Sequence, residues 1–141
     1  RKKPEVMEKV FWKLGDQILK YMELVKEYGG DLISYADSSG GVNILGPKMM
    51  EAVTVNFTYP FLKKVEQLAD DQTMILLCPK TTLALIGTEK AKFVDHQLEE
   101  PIGYAQACIH MIGKAHFAGQ MCIKNVGYHL NHGIFKEVKL L

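Results

Sequence analysis

The chain has 141 residues, 48% of them hydrophobic and 23% charged, which is enough for one domain with its own core. Its formal net charge is +1, so no global field draws it to nucleic acid or to an anionic membrane. No apolar run approaches the ~20 residues of a membrane span, and Arg1-Lys2-Lys3-Pro4 lacks the apolar region of a signal peptide.

From Pro4 to Tyr28, apolar residues fall at Val6, Val10, Phe11, Leu14, Ile18, Leu19, Met22 and Val25. These steps of three and four predict one amphipathic helix, opened by Pro4 and stopped by Gly29-Gly30. "DLISYAD" (31–37) reads as a short buried strand running into the loop "SSGG". Pro47 opens a second helix through Leu68, which Pro60 should kink or split. "TMILLC" (73–78) is an apolar run of strand length, and a short helix follows from Thr81 or Thr82 to Ile86. "AKFVDH" (91–96) predicts a third strand. Pro101 opens a helix carrying Ile102, Ala105, Ile109 and Ile112. "AHFAGQM" (115–121) predicts a fourth strand, and Phe135, Val138 and Leu141 suggest a last helix.

Strands alternating with helices predict an α/β fold of parallel strands with right-handed crossovers, covered on both faces. A small doubly wound sheet and part of a (β/α)8 barrel both fit, and in both the ligand sits at the carboxyl ends of the strands. Those ends carry Asp37-Ser38, Cys78-Pro79, Asp95-His96 and Gly119-Gln120. Asp37, Asp95 and His96 are the candidate catalytic groups, since a carboxylate or an imidazole can move protons. Gly119 and Gln120 are candidate substrate contacts, a role that the resemblance given next implies. Cys78, at the end of the apolar run, stands at the rim of a site or is a small buried hydrophobe; its role as a metal ligand is what the same resemblance implies.

"YGGDLISYADSSGGVNILGPKMMEAVTVNFTYPFLKKV" resembles the central part of the uroporphyrinogen decarboxylase superfamily. The shared features are a strand ending in Asp37, the loop glycines Gly40-Gly41, a helix opened by Pro47, and Tyr59-Pro60 inside it. "FVDHQLEEPIGYAQACIHMIG" and "HFAGQMCIKNVGYHLNHGIFKEV" resemble later segments, so the likeness runs over nearly the whole chain. It leans toward the corrinoid-dependent methyltransferase branch, whose members are (β/α)8 barrels. The resemblance implies the C-terminal half of such a barrel, residues 1–141 forming a single partial domain. It also implies methyl transfer from methylcobalamin on a partner corrinoid protein to a thiol such as coenzyme M. The branch binds zinc through a His-x-Cys pair and a distant Cys. Cys78 matches that pair's Cys, Leu76 stands where the His belongs, and Pro79 replaces the usual Gly.

One thiolate cannot hold a catalytic zinc, which takes about three protein ligands and an open position. The isolated chain is therefore expected to be a weak or inactive catalyst. Tetrapyrrole decarboxylation and a non-catalytic binding module are the rival readings, and Leu76 favours the second. A half-barrel leaves two unpaired sheet edges. Together with the non-Met first residue, this predicts a piece of a longer enzyme, or a homo-oligomer that covers the edges. Three widely spaced cysteines, Cys78, Cys108 and Cys122, fit a reducing cytoplasm.

Other motifs point less far. "GVNILGPK" lacks the Gly-Lys-Ser/Thr of a phosphate loop, and Pro47 removes an amide that would cradle phosphate. "HLNH" (129–132) has metal-binding spacing, but its flanking glycines favour a solvated turn.

Overall fold

The computed structural model describes residues 3–37, 40–122, 124–125 and 127–141. The long N-terminal periodicity becomes α1 (Pro4–Glu27), with Pro4 in its first turn and Gly29 beyond its end at φ 82°. Only glycine takes that left-handed conformation without a steric penalty. Lys26, in the last turn, donates to Leu68 O at 2.9 Å and to the Asp70 carboxylate. These contacts tie the helix end to the chain that leads into the sheet.

β1 (Leu32–Tyr35) follows, then a short α2 (Val42–Leu45) and α3 (Pro47–Val53). The expected break at Pro60 is a π turn, Thr54–Thr58, followed by α4 (Tyr59–Val65) and a 3₁₀ turn, Glu66–Leu68. Pro60 has no N–H to give the carbonyl four residues back, and the wider turn before it absorbs that mismatch. Ser38 and Ser39, in the predicted loop, lie outside the described residues.

β2 (Met74–Leu77) leads directly into α5 (Pro79–Gly87), and β3 (Ala91–Gln97) precedes α6 (Tyr104–His110). α6 starts three residues later than Pro101 suggested, because the chain before it pairs with another segment. Leu130 N–H donates to Ile102 O at 2.9 Å, and Tyr104 N–H donates to Tyr128 O at 2.8 Å. β4 is only Phe117–Ala118, and β5 (Ile134–Leu140) closes the chain.

The sequence reading therefore needs correction at its last element, where a strand replaces the expected helix. Phe135 belongs to the core on one face of the sheet, and Val138 and Leu140 to the core on the other. In a strand covered on both faces, residues three apart point to opposite sides. Their apolar spacing then imitates a helical period.

The five strands form one mixed sheet in the order β1-β2-β4-β5-β3. β1, β2 and β4 are parallel neighbours, and β5 runs antiparallel to both β4 and β3. The four strands expected from the sequence thus share one direction, but β4 and β5 separate β3 from β2. A barrel segment would instead place its strands side by side in chain order. The coarse class, α/β with helices on both faces, holds.

One face packs α1, α4 and α5 through Met22, Phe61, Leu62, Val65 and Leu85 onto Ile33, Ile75, Leu77, Phe117 and Val138. The other packs α6 through Tyr104, Ala107, Cys108 and Met111 onto Met74, Leu76, Ala118 and Phe135. This two-sided burial explains the unbroken apolar run of β2. No described helix is long and apolar enough to cross a membrane.

Candidate functional site

β1 and β2 are in register from Leu32↔Met74 to Tyr35↔Leu77, so their carboxyl ends are side by side. Just past them stand Asp37 and Cys78. Cys78 N–H donates to Tyr35 O at 3.1 Å, and Thr81 Oγ1 donates to Asp37 O at 3.5 Å. The Asp37 carboxylate accepts Gly40 N–H at 2.9 Å, which fixes its direction at the loop entrance. Cys78 is half-buried and immediately precedes α5.

Beside this edge lies a cavity of about 230 Å³ between α1, β1, the π turn and α4. Asp37 and Tyr35 line it, with Phe11, Trp12, Phe57 and Phe61. Burial, reinforced by the charge of Asp37, pushes the Tyr35 phenol up to about 12, so it is neutral at physiological pH.

Gly119, at the end of β4, touches the same region from the other side. A Cβ there would lie 2.1 Å from Thr82 Oγ1 and 3.2 Å from Leu77 Cβ. The glycine is thus required by the close approach of α5 to the sheet. Gln120, expected to contact substrate, uses its side-chain oxygen internally. Its Oε1 accepts Lys136 N–H at 3.0 Å and so continues the ladder that β4 is too short to provide.

Asp95 and His96 stand on the far strand of the sheet. Successive side chains of β3 point to opposite faces, and the two residues make separate contacts. Lys136 Nζ donates to Asp95 Oδ1 at 2.7 Å, whereas His96 Nε2 is 2.8 Å from Glu137 Oε2 and its ring meets Phe135 edge-on at 6.3 Å. Both line an open cleft of about 700 Å³ shared with His110 and Lys114. At ~4.8 Å per strand, four spacings put Asp37 and His96 roughly 19 Å apart. The structure brings Asp37, Cys78 and Gly119 to one neighbourhood and leaves Asp95 and His96 in another.

A catalytic zinc needs about three protein ligands. Among the described residues, no group of three or more His, Cys, Asp or Glu side chains comes together. Leu76, at the expected His position, is 5% exposed within the α6-side core. Cys108 is buried in that core, and burial pushes its thiol up to about 11, away from the thiolate a metal needs. Cys122 is exposed, as are His129 and His132 of the predicted turn. The described residues do not assemble a zinc site around Cys78.

Sequence reasoning missed Glu137 and Lys136, because β5 was read as a helix. The alternation of Val138, Lys139 and Leu140 was the signal that could have found them. It also missed the aromatic lining beside Asp37, which comes from separate elements.

Compared with known proteins, the chain matches no family model, no curated protein and no solved structure.

Proposed function

We propose that the chain is a methyltransferase-like domain of the corrinoid-dependent kind, with its ligand edge at the carboxyl ends of β1 and β2. One observation carries this reading: Asp37 and Cys78 stand just past the carboxyl ends of the neighbouring parallel strands β1 and β2, beside a cavity that Asp37 lines. The ordered sequence likeness described above supplies the reaction class. The methyl acceptor is a small thiol, the donor is methylcobalamin on a partner corrinoid protein, and that protein docks over this edge. Transfer would form a sulfur–carbon bond as the cobalt–carbon bond of the donor breaks, with the bonding pair left on the partner's cobalt as cob(I)alamin, and the thiol proton is released, for which Asp37 is the nearby carboxylate. No step is assigned to zinc, because among the described residues no group of three or more possible ligands forms around Cys78.

Of the finer fold reading, half of a (β/α)8 barrel, the parallel β1–helix–β2 unit and the common direction of the four predicted strands are the features in favour, whereas the order β1-β2-β4-β5-β3 with an antiparallel β5 favours an open mixed sheet. β1 and β3 end the sheet, where a second copy or further chain would pair. Separate free thiols suit a reducing cytoplasm.

A non-catalytic binding module is the second reading, favoured by the burial of Leu76 where a metal-binding His would be needed. Tetrapyrrole decarboxylation is less well supported. The cavity is below the ~300–1,000 Å³ of sites for drug-sized ligands, and a tetrapyrrole is larger still.

The test follows methylcobalamin absorbance with coenzyme M and the purified chain. Weak transfer above the protein-free rate is expected. Asp37→Asn and Cys78→Ala should each lower it about tenfold or more, and Cys122→Ala should leave it unchanged. Corrinoid binding with no turnover selects the binding module. Transfer that both substitutions leave intact overturns the assignment of the site.

A further inference from the structure

We infer that the cavity beside Asp37 binds a small alkylated ammonium ion of the choline or trimethylammonium class. The inference shares the site of the proposed function but not its chemistry, and it rests on the walls of the cavity.

Five aromatic side chains, Phe11, Trp12, Tyr35, Phe57 and Phe61, line the cavity. Phe11 of α1 stacks on Phe57 of the π turn with ring centroids 4.6 Å apart, and Trp12 lies 6.4 Å from the same Phe57. Across the cavity, Tyr35 and Phe61 are 5.5 Å apart. Gly15 adds no side chain, and a Cβ there would already lie 3.3 Å from Phe61. The π turn, Thr54–Thr58, carries Phe57 and Thr58 into the lining, and wide turns of this kind often mark binding sites.

Three properties select the ligand. Aromatic faces carry negative potential and attract cations that approach within about 6 Å. Asp37 adds a carboxylate to the lining. The polar groups in the lining are few, namely Asp37, the Tyr35 hydroxyl and Thr58. An alkylated ammonium is satisfied by ring contact and a single counter-charge. The volume of about 230 Å³ suits a metabolite-sized ion.

The protein already uses this chemistry once at the same wall. Lys64 Nζ sits 4.6 Å from the Trp12 ring centroid, and it is also 3.7 Å from Asp16 Oδ1. The ligand would occupy the interior of the cavity, toward Tyr35, Phe61 and Asp37.

Trp12 is the single tryptophan of the chain, so its fluorescence reports occupancy directly. The experiment titrates choline, tetramethylammonium and dimethylbutanol, the neutral carbon isostere of choline, into the full chain. Both cations should change the Trp12 emission saturably, and the isostere should bind on the order of tenfold more weakly. Asp37→Asn, which keeps an oxygen for Gly40 N–H, should weaken the cations by a similar factor and leave the isostere unaffected. Phe57→Leu should weaken the cations independently of Asp37. Equal binding of isostere and cation, cation binding that survives both substitutions, or no binding overturns the inference. Cation binding without methyl transfer would leave it standing while the proposed reaction failed, and methyl transfer without cation binding would do the reverse.

Discussion

Replacing Phe135 with alanine is expected to remove about 3–5 kcal/mol of unfolding free energy, among the largest effects of any single substitution in the chain. Phe135 is fully buried in β5, between β4 and β3. Its ring stacks near Tyr104 of α6 at 6.4 Å and meets His96 of β3 at 6.3 Å. The truncation would open a void under α6 and loosen the strand that joins the two halves of the sheet. Against a total stability of ordinarily ~5–15 kcal/mol, such a loss would populate the unfolded state. Urea denaturation measures it. A cost under about 1 kcal/mol would match a side chain on a loosely packed terminal helix and would contradict the burial of β5.

Gly119→Ala is expected to cost about 1–3 kcal/mol through overpacking. The added methyl would lie 2.1 Å from Thr82 Oγ1 and 3.0 Å from Val138 Cγ2. Among the described residues, Thr82 Oγ1 is buried with no hydrogen-bond partner, so the hydroxyl can be removed without breaking a bond. Thr82→Ala should therefore relieve the clash. The double substitution should recover about 1 kcal/mol or more relative to the sum of the single ones. Additive costs, measured in the same denaturation experiment, would mean that α5 does not approach β4 at this point.

The elements that could be read from the sequence are those with one dominant period. α1 shows its helical spacing and both its stops, Pro4 and Gly29, because only one side of it faces the sheet. β2 shows an unbroken apolar run because it is buried on both faces. β5 is buried on both faces too, but Lys136, Glu137 and Lys139 interrupt its apolar residues, and the remainder mimics a helix.

The candidate site divides in the same way. Asp37 and Cys78 could be found as polar residues that end apolar strands. Their proximity follows from β1 and β2 being neighbours. Asp95 and His96 look equivalent in the sequence, and their strand does run in the same direction. Their separation from Asp37 is a property of strand order, which periodicity does not encode. The aromatic walls were illegible for a similar reason. Trp12, Tyr35 and Phe57 are scattered along the chain and meet only once α1 folds over the π turn and β1.

The location of the site therefore depends on which strands are neighbours, and disulfide trapping to Cys78 tests this directly. In a Cys122→Ser background carrying Asp37→Cys, position 37 lies just past the end of β1 and Cys78 just past the end of β2, one strand spacing of ~4.8 Å across, which falls in the ~4.4–6.8 Å between Cα atoms that a disulfide spans. His96→Cys lies three strand spacings from β2, roughly 14 Å away. Mild oxidation should couple position 37 to Cys78 and leave position 96 as a free thiol. Coupling of position 96 to Cys78, with position 37 unreacted, would show β3 beside β2, as in a barrel of consecutive strands, and would contradict the sheet order on which this site is built.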